Sequence, residues 1–269
     1  MSTKPTLVRV TEHYEEALNY FKPESIVGIF LQGSQNYGLE VPGSDVDTKL
    51  IVVPTFEEIA LNKKPHSTTH VRANNEHIDF KDIRLYMETF KKQNLNFLEI
   101  LFTKYFRLNP YYESDWRKLV AAREEIARMN PYRAVKSMKG IALEKWHAME
   151  HEYPSKVDVL AKYGYDPKQL HHLLRVEDYL ERYIAGEPYA KCLRPSDPGY
   201  LLDVKLGVMG LDEARRVGQR AIDHVVEIAD DYCSTRENVA NPEMEALLTE
   251  VQTDIMKKAI IKELQEGGV

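Results

Sequence analysis

Gly33-Ser34, separated by ten residues from Asp45-Val46-Asp47, follows one short apolar run and opens onto another, which makes it the most constraining pattern in the chain. The first run, Ile26 to Leu31, reads as a strand. Gly33 permits the close backbone approach that a phosphate requires, and Ser34 adds a hydroxyl donor. The second run, Asp45 to Val53, also reads as a strand, so its period of two sends Asp45 and Asp47 to one face. Like charges that close repel. A hard divalent cation such as Mg²⁺ or Mn²⁺ relieves the repulsion, taking one or two protein carboxylates and completing its shell with water and substrate phosphates.

A further acid stands in Glu76-His77-Ile78-Asp79-Phe80. Ile78 and Phe80 share one parity and Asp79 the other, so the Asp79 carboxylate is expected to point away from the apolar side. Asp45, Asp47 and Asp79 together suffice for two metals, one activating an attacking oxygen and one clamping the triphosphate and the departing pyrophosphate. The reaction expected is in-line nucleotidyl transfer from a nucleoside triphosphate (NTP).

A strand, a Gly-Ser turn, a spacer, Asp-x-Asp on a strand and a later apolar-Asp-apolar strand resemble the DNA polymerase beta-type nucleotidyltransferase superfamily. The resemblance implies that Gly33 and Ser34 engage the triphosphate and that Asp45, Asp47 and Asp79 are the catalytic, metal-binding acids. Downstream, Asn94-Leu-Asn-Phe-Leu-Glu99 and Gly164-Tyr-Asp-Pro-Lys168, followed by His172 and Arg175, are similar to predicted nucleotidyltransferases associated with RNA repair. That likeness runs from about residue 26 to 230. It favours an RNA 3′ end as acceptor. A protein hydroxyl, a small molecule, or a nucleotide sensor without turnover stay open as alternatives.

The chain of 269 residues has a formal charge of −6, which argues against a surface coated for tight nucleic-acid binding but allows a local basic cleft. Cys192 and Cys233 give neither a disulfide framework nor a zinc set, as suits a reducing compartment. No signal-peptide pattern and no membrane-length apolar run stand out, so a soluble cytoplasmic protein is expected.

The fold class expected is α+β, a small mixed-sheet nucleotidyltransferase core over residues 1–109 followed by an all-helical domain over 110–269 that closes the nucleotide cleft. After Asn109-Pro110 the β-branched runs vanish, and helices are expected near 113–129, 131–152, 167–185, 211–234 and 242–265. On the 167–185 helix, Lys168, His171, His172 and Arg175 project to one side and Leu170, Leu173 and Leu174 to the other, predicting a basic face free to bind. Lys168, His172 and Arg175 join Gly33, Ser34, Ser44, Lys136, Lys139 and Lys156 in the expected nucleotide-binding set, since three acids and a triphosphate need compensating positive charge. Glu99, an acid inside an apolar run, is expected to pair with a buried base or to orient Arg or Lys. His147-Ala-Met-Glu150-His151 matches the His-x-x-Glu-His pattern of inverted zinc metalloproteases; its other reading is two surface histidines on a long helix.

Overall fold

A computed structural model describes residues 4–266. The first part of the chain forms α1 (Thr6–Ala17), β1 (Ile26–Gln32), β2 (Asp47–Val52), α2 (Phe56–Ala60), β3 (Ser67–Val71), β4 (His77–Asp82), α3 (Ile83–Lys91), α4 (Leu95–Leu98) and β5 (Phe106–Leu108). Helices follow: α5 (Glu113–Ala121), α6 (Arg123–Ala127), α7 (Pro131–Ala148), α8 (Val157–Tyr163), α9 (Pro167–Ile184), α10 (Tyr189–Cys192), α11 (Pro198–Lys205), α12 (Leu211–Ser234) and α13 (Pro242–Glu266). The class is α+β, a small sheet with a helical part. Among the described residues no helix is long and apolar enough to cross a membrane.

The sheet is mixed, in the order β3-β4-β2-β1-β5. Three pairings are antiparallel, and β2 runs parallel to β4. The parallel pair needs a crossover, supplied here by α2 and β3. β1 is buried along nearly its whole length, as a central strand covered on both faces must be. One face packs Ile29, Leu31, Leu50, Val52 and Ile78 against Val10, Tyr14 and Ala17 of α1. On the other, Phe30 packs against Trp116 of α5, the rings tilted by 31° and 4.7 Å apart between centroids. Gly28 lets β5 come close, for a Cβ there would lie 2.9 Å from a Leu108 methyl and 3.1 Å from the Arg107 carbonyl.

The chain divides into two compact units: residues 4–36, 40–129 and 240–266 around the sheet, and residues 37–39 with 130–239 in the helical part. This differs from a boundary at 109/110. Helices α5, α6 and α13 belong to the sheet unit, where Tyr112 donates to the Glu24 carbonyl and Lys258 pairs with Asp115. Composition is blind to that, because a helix packed on a sheet and a helix packed on helices carry the same apolar stripe. Helix 113–129 is broken at Ala122 into α5 and α6, and helix 131–152 stops at Ala148. In the helical unit α9 is enclosed by α7, α10, α11 and α12.

Candidate active site

Strand register brings the sequence motifs to one end of the sheet. Gln32, the last residue of β1, pairs with Asp47, the first of β2, so the Gly33-Ser34 turn leaves the sheet where the double-Asp segment enters it. The parallel partner β4 starts at the same end, with Thr48 opposite Ile78 and Lys49 opposite Asp79. Gly33 adopts φ +104°, a left-handed conformation that favours glycine, and a Cβ built there would meet open space. Its amide is already used, donating to the buried Glu99 carboxylate at 3.2 Å. Glu99 thus holds a backbone amide of the turn. The Ser34 hydroxyl makes no hydrogen bond among the described residues.

Side chains on either side stiffen the turn. Asn36 donates to the Leu31 carbonyl at 3.0 Å and accepts from the Thr103 hydroxyl at 2.6 Å. Gln35 donates to the Asp45 carbonyl at 2.8 Å, tying the Gly-Ser turn to the acidic segment. Ser44, by contrast, is occupied within its own turn: its hydroxyl accepts from the Val41 amide at 2.9 Å.

Asp45 lies two residues ahead of β2 rather than in it and is exposed. The segment nevertheless alternates as a strand does, with Val46 and Thr48 buried and Asp45 and Asp47 outward. Asp47 Oδ1 accepts from the backbone amide and faces Nδ1 of His77, both at 3.0 Å. The Asp45 carboxylate has no hydrogen-bond partner among the described residues. Two outward carboxylates are hard oxygen donors, which fits a Mg²⁺-like cation that completes its shell from water and substrate. Among the described residues no three His, Cys, Asp or Glu side chains form a ready-made cage.

Asp79 is differently placed. Its Oδ2 pairs with Lys49 Nζ at 3.1 Å, and its Oδ1 accepts from the Thr69 hydroxyl at 2.6 Å. Burial pushes its carboxyl up, but Lys49, Thr69 and Lys81 outweigh that, and the net shift is below the ordinary carboxylate range. Lys49 is itself buried, and desolvation lowers its ammonium against the pull of Asp79. Both Lys49 and Lys81 lie over the Phe97 ring, at 4.2 and 4.6 Å from its centroid. A cation at Asp79 has to displace this lysine, whereas one at Asp45 and Asp47 does not.

The helical unit corrects the expectation of a free basic face. Lys168 is exposed, but His171 is buried with Nδ1 on the Leu201 carbonyl at 2.8 Å, and its pKa is pushed down to about 4, chiefly by desolvation. His172 is half-buried, and desolvation followed by Arg175 and His171 takes it well below its ordinary value. Arg175 is buried with its guanidinium 4.2 Å from the Tyr37 ring centroid. Lys205 donates to the Leu39 carbonyl at 2.7 Å, so residues 37–39 are held by two cations of this unit. Lys156 pairs with Asp166 at 2.8 Å, Lys139 with Asp230 at 2.7 Å, and Lys136 lies over the Tyr132 ring. Projection missed this because it assigns one packing side to a helix, and α9 has neighbours on several.

The His-x-x-Glu-His segment does not present a zinc site. Helix α7 ends at Ala148, so His151 lies beyond it, and Glu150 is held by Arg215 at 2.7 and 3.0 Å. The His147 and His151 rings are 5.2 Å apart between centroids. No family model matches the sequence, and comparison with curated proteins finds no match.

Proposed function

We propose that this chain is a metal-dependent nucleotidyltransferase that moves a nucleoside monophosphate from an NTP to an acceptor hydroxyl and releases pyrophosphate. The observation that carries the reading is the meeting of the left-handed Gly33 turn, the outward Asp45 and Asp47, and the start of β4 at one end of the sheet. The polymerase beta-type resemblance of the same residues supports it. When bound, Mg²⁺ or Mn²⁺ supplies positive charge to the triphosphate and lowers the barrier to in-line displacement. Asp45 and Asp47 hold that charge. The Ser34 hydroxyl, beside the open space over Gly33, donates to a phosphate oxygen and orients the chain of phosphates.

Asp79 belongs to the acceptor side in this reading. Its carboxylate, kept ionised by Lys49, receives the acceptor hydroxyl's proton or shares in metal binding after Lys49 moves. The acceptor favoured by the resemblance is an RNA 3′ end. The test uses the full chain with each NTP labelled at the α-phosphate, Mg²⁺, and a cell extract separated afterwards into RNA, protein and small molecules. Label in the RNA fraction, absent with Asp45→Asn/Asp47→Asn, is expected. Label in protein or small molecules replaces the acceptor assignment, and no Asp-dependent label in any fraction overturns the enzyme reading.

A further inference from the structure

Behind the outward acids lies a buried polar cluster centred on Glu76, a residue to which the motifs assign no role. Glu76 is 1 % exposed and sits just before β4, yet its carboxylate is surrounded by donors from three other segments. Oε1 accepts from the Val46 amide at 3.2 Å and from Arg9; Oε2 accepts from Arg72 at 2.8 Å and from His13 Nε2 at 2.9 Å. A carboxylate accepts only, so His13 must carry its proton on Nε2, and its Nδ1 then accepts from the Thr48 hydroxyl at 2.9 Å. Arg9 also donates to the Ser44 carbonyl at 3.0 Å.

The result is a clamp with the period of the strand. Ser44, Val46 and Thr48 are each gripped from the inner side, by Arg9, Glu76 and His13, while Asp45 and Asp47 alternate outward between them. An isolated buried carboxylate is costly, and two arginines plus one imidazole compensate this one. A core ion pair needed only for stability has no reason to engage the Ser44 carbonyl, the Val46 amide and the Thr48 hydroxyl, the successive inward positions of the acidic segment.

We propose that Glu76 is the positioning residue of the acid pair: through the Val46 amide, with Arg9 and His13 as its flanking grips, it fixes the spacing of Asp45 and Asp47 for a divalent cation. The inference rests on reading those acids as the metal site. Glu76 touches neither substrate nor reacting atoms and acts only through the backbone it holds.

The test measures Mn²⁺ binding to the full chain by electron paramagnetic resonance, without nucleotide, and hydrogen exchange at the Val46 amide. Four proteins are compared: wild type, Glu76→Gln, Asp45→Asn/Asp47→Asn, and Met87→Ala, a buried position on α3 that serves as a destabilised control. Gln keeps the size and one acceptor, so the fold survives while the charge-assisted grip is lost; that loss corresponds to about a tenfold weaker Mn²⁺ affinity. Val46 exchange should quicken beyond that in Met87→Ala, which should bind Mn²⁺ as wild type does. Wild-type Mn²⁺ affinity and Val46 protection in Glu76→Gln would reduce Glu76 to a core ion pair and overturn the proposal alone. Mn²⁺ binding untouched by Asp45→Asn/Asp47→Asn overturns the metal-site reading, and the proposal with it.

Discussion

His13 illustrates how one side chain joins stability to the candidate site. It is fully buried, and desolvation, reinforced by Arg72 and Arg9, pushes its pKa down to about 4 from 6.5. Between those values the unfolded chain binds a proton that the folded chain does not, so stability rises with pH across the window. The contribution is complete above about pH 6.5 and is lost as pH falls through about 4; it is on the order of 3 kcal/mol. His171 is shifted down to about 4 and acts over the same window. The urea midpoint of the wild type should therefore drop as the pH is lowered from 6.5 towards 4, and His13→Gln/His171→Gln should flatten that drop. An undiminished slope in the double variant would show that other groups set it. Neither role was legible in the sequence: Glu76 and Thr48, the partners of His13, lie 63 and 35 residues away.

At the scale of elements, legibility followed pattern strength. β1, β2 and β4 carry apolar residues at the strand period or in a buried run, and Asp82 caps α3 by accepting the Arg84 amide at 2.8 Å. β3, Ser67–Val71, is mostly exposed and polar and so carries no apolar signal at the strand period; β5 has three residues and no room for a period. Helix α9 was found but its surroundings were not. Because Arg175 is buried on Tyr37 while Lys168 faces solvent, Arg175→Ala should lower stability by about 1–3 kcal/mol. Lys168→Ala should change it by less than about 0.5 kcal/mol. Chemical denaturation of the two variants decides this, and equal stabilities would restore Arg175 to a free basic face.

For the molecule as a whole, the loss of β-branched runs after residue 109 marked a change of secondary structure rather than a change of unit. Trp116 and Phe30 show the difference, since a residue on a helix completes the core of a sheet that ends before it. Trp116→Ala in the full chain should cost the sheet unit about 3–5 kcal/mol, seen as early loss of hydrogen-exchange protection in β1. Protection lost first in α7 and α9 would instead assign α5 to the helical part. The role of the acids at the end of that sheet is decided by Mg²⁺-dependent pyrophosphate release from NTP by the full chain in cell extract. Wild type should release it and a folded Asp45→Asn/Asp47→Asn variant none above background; release at the wild-type rate by that variant would remove Asp45 and Asp47 from the chemistry.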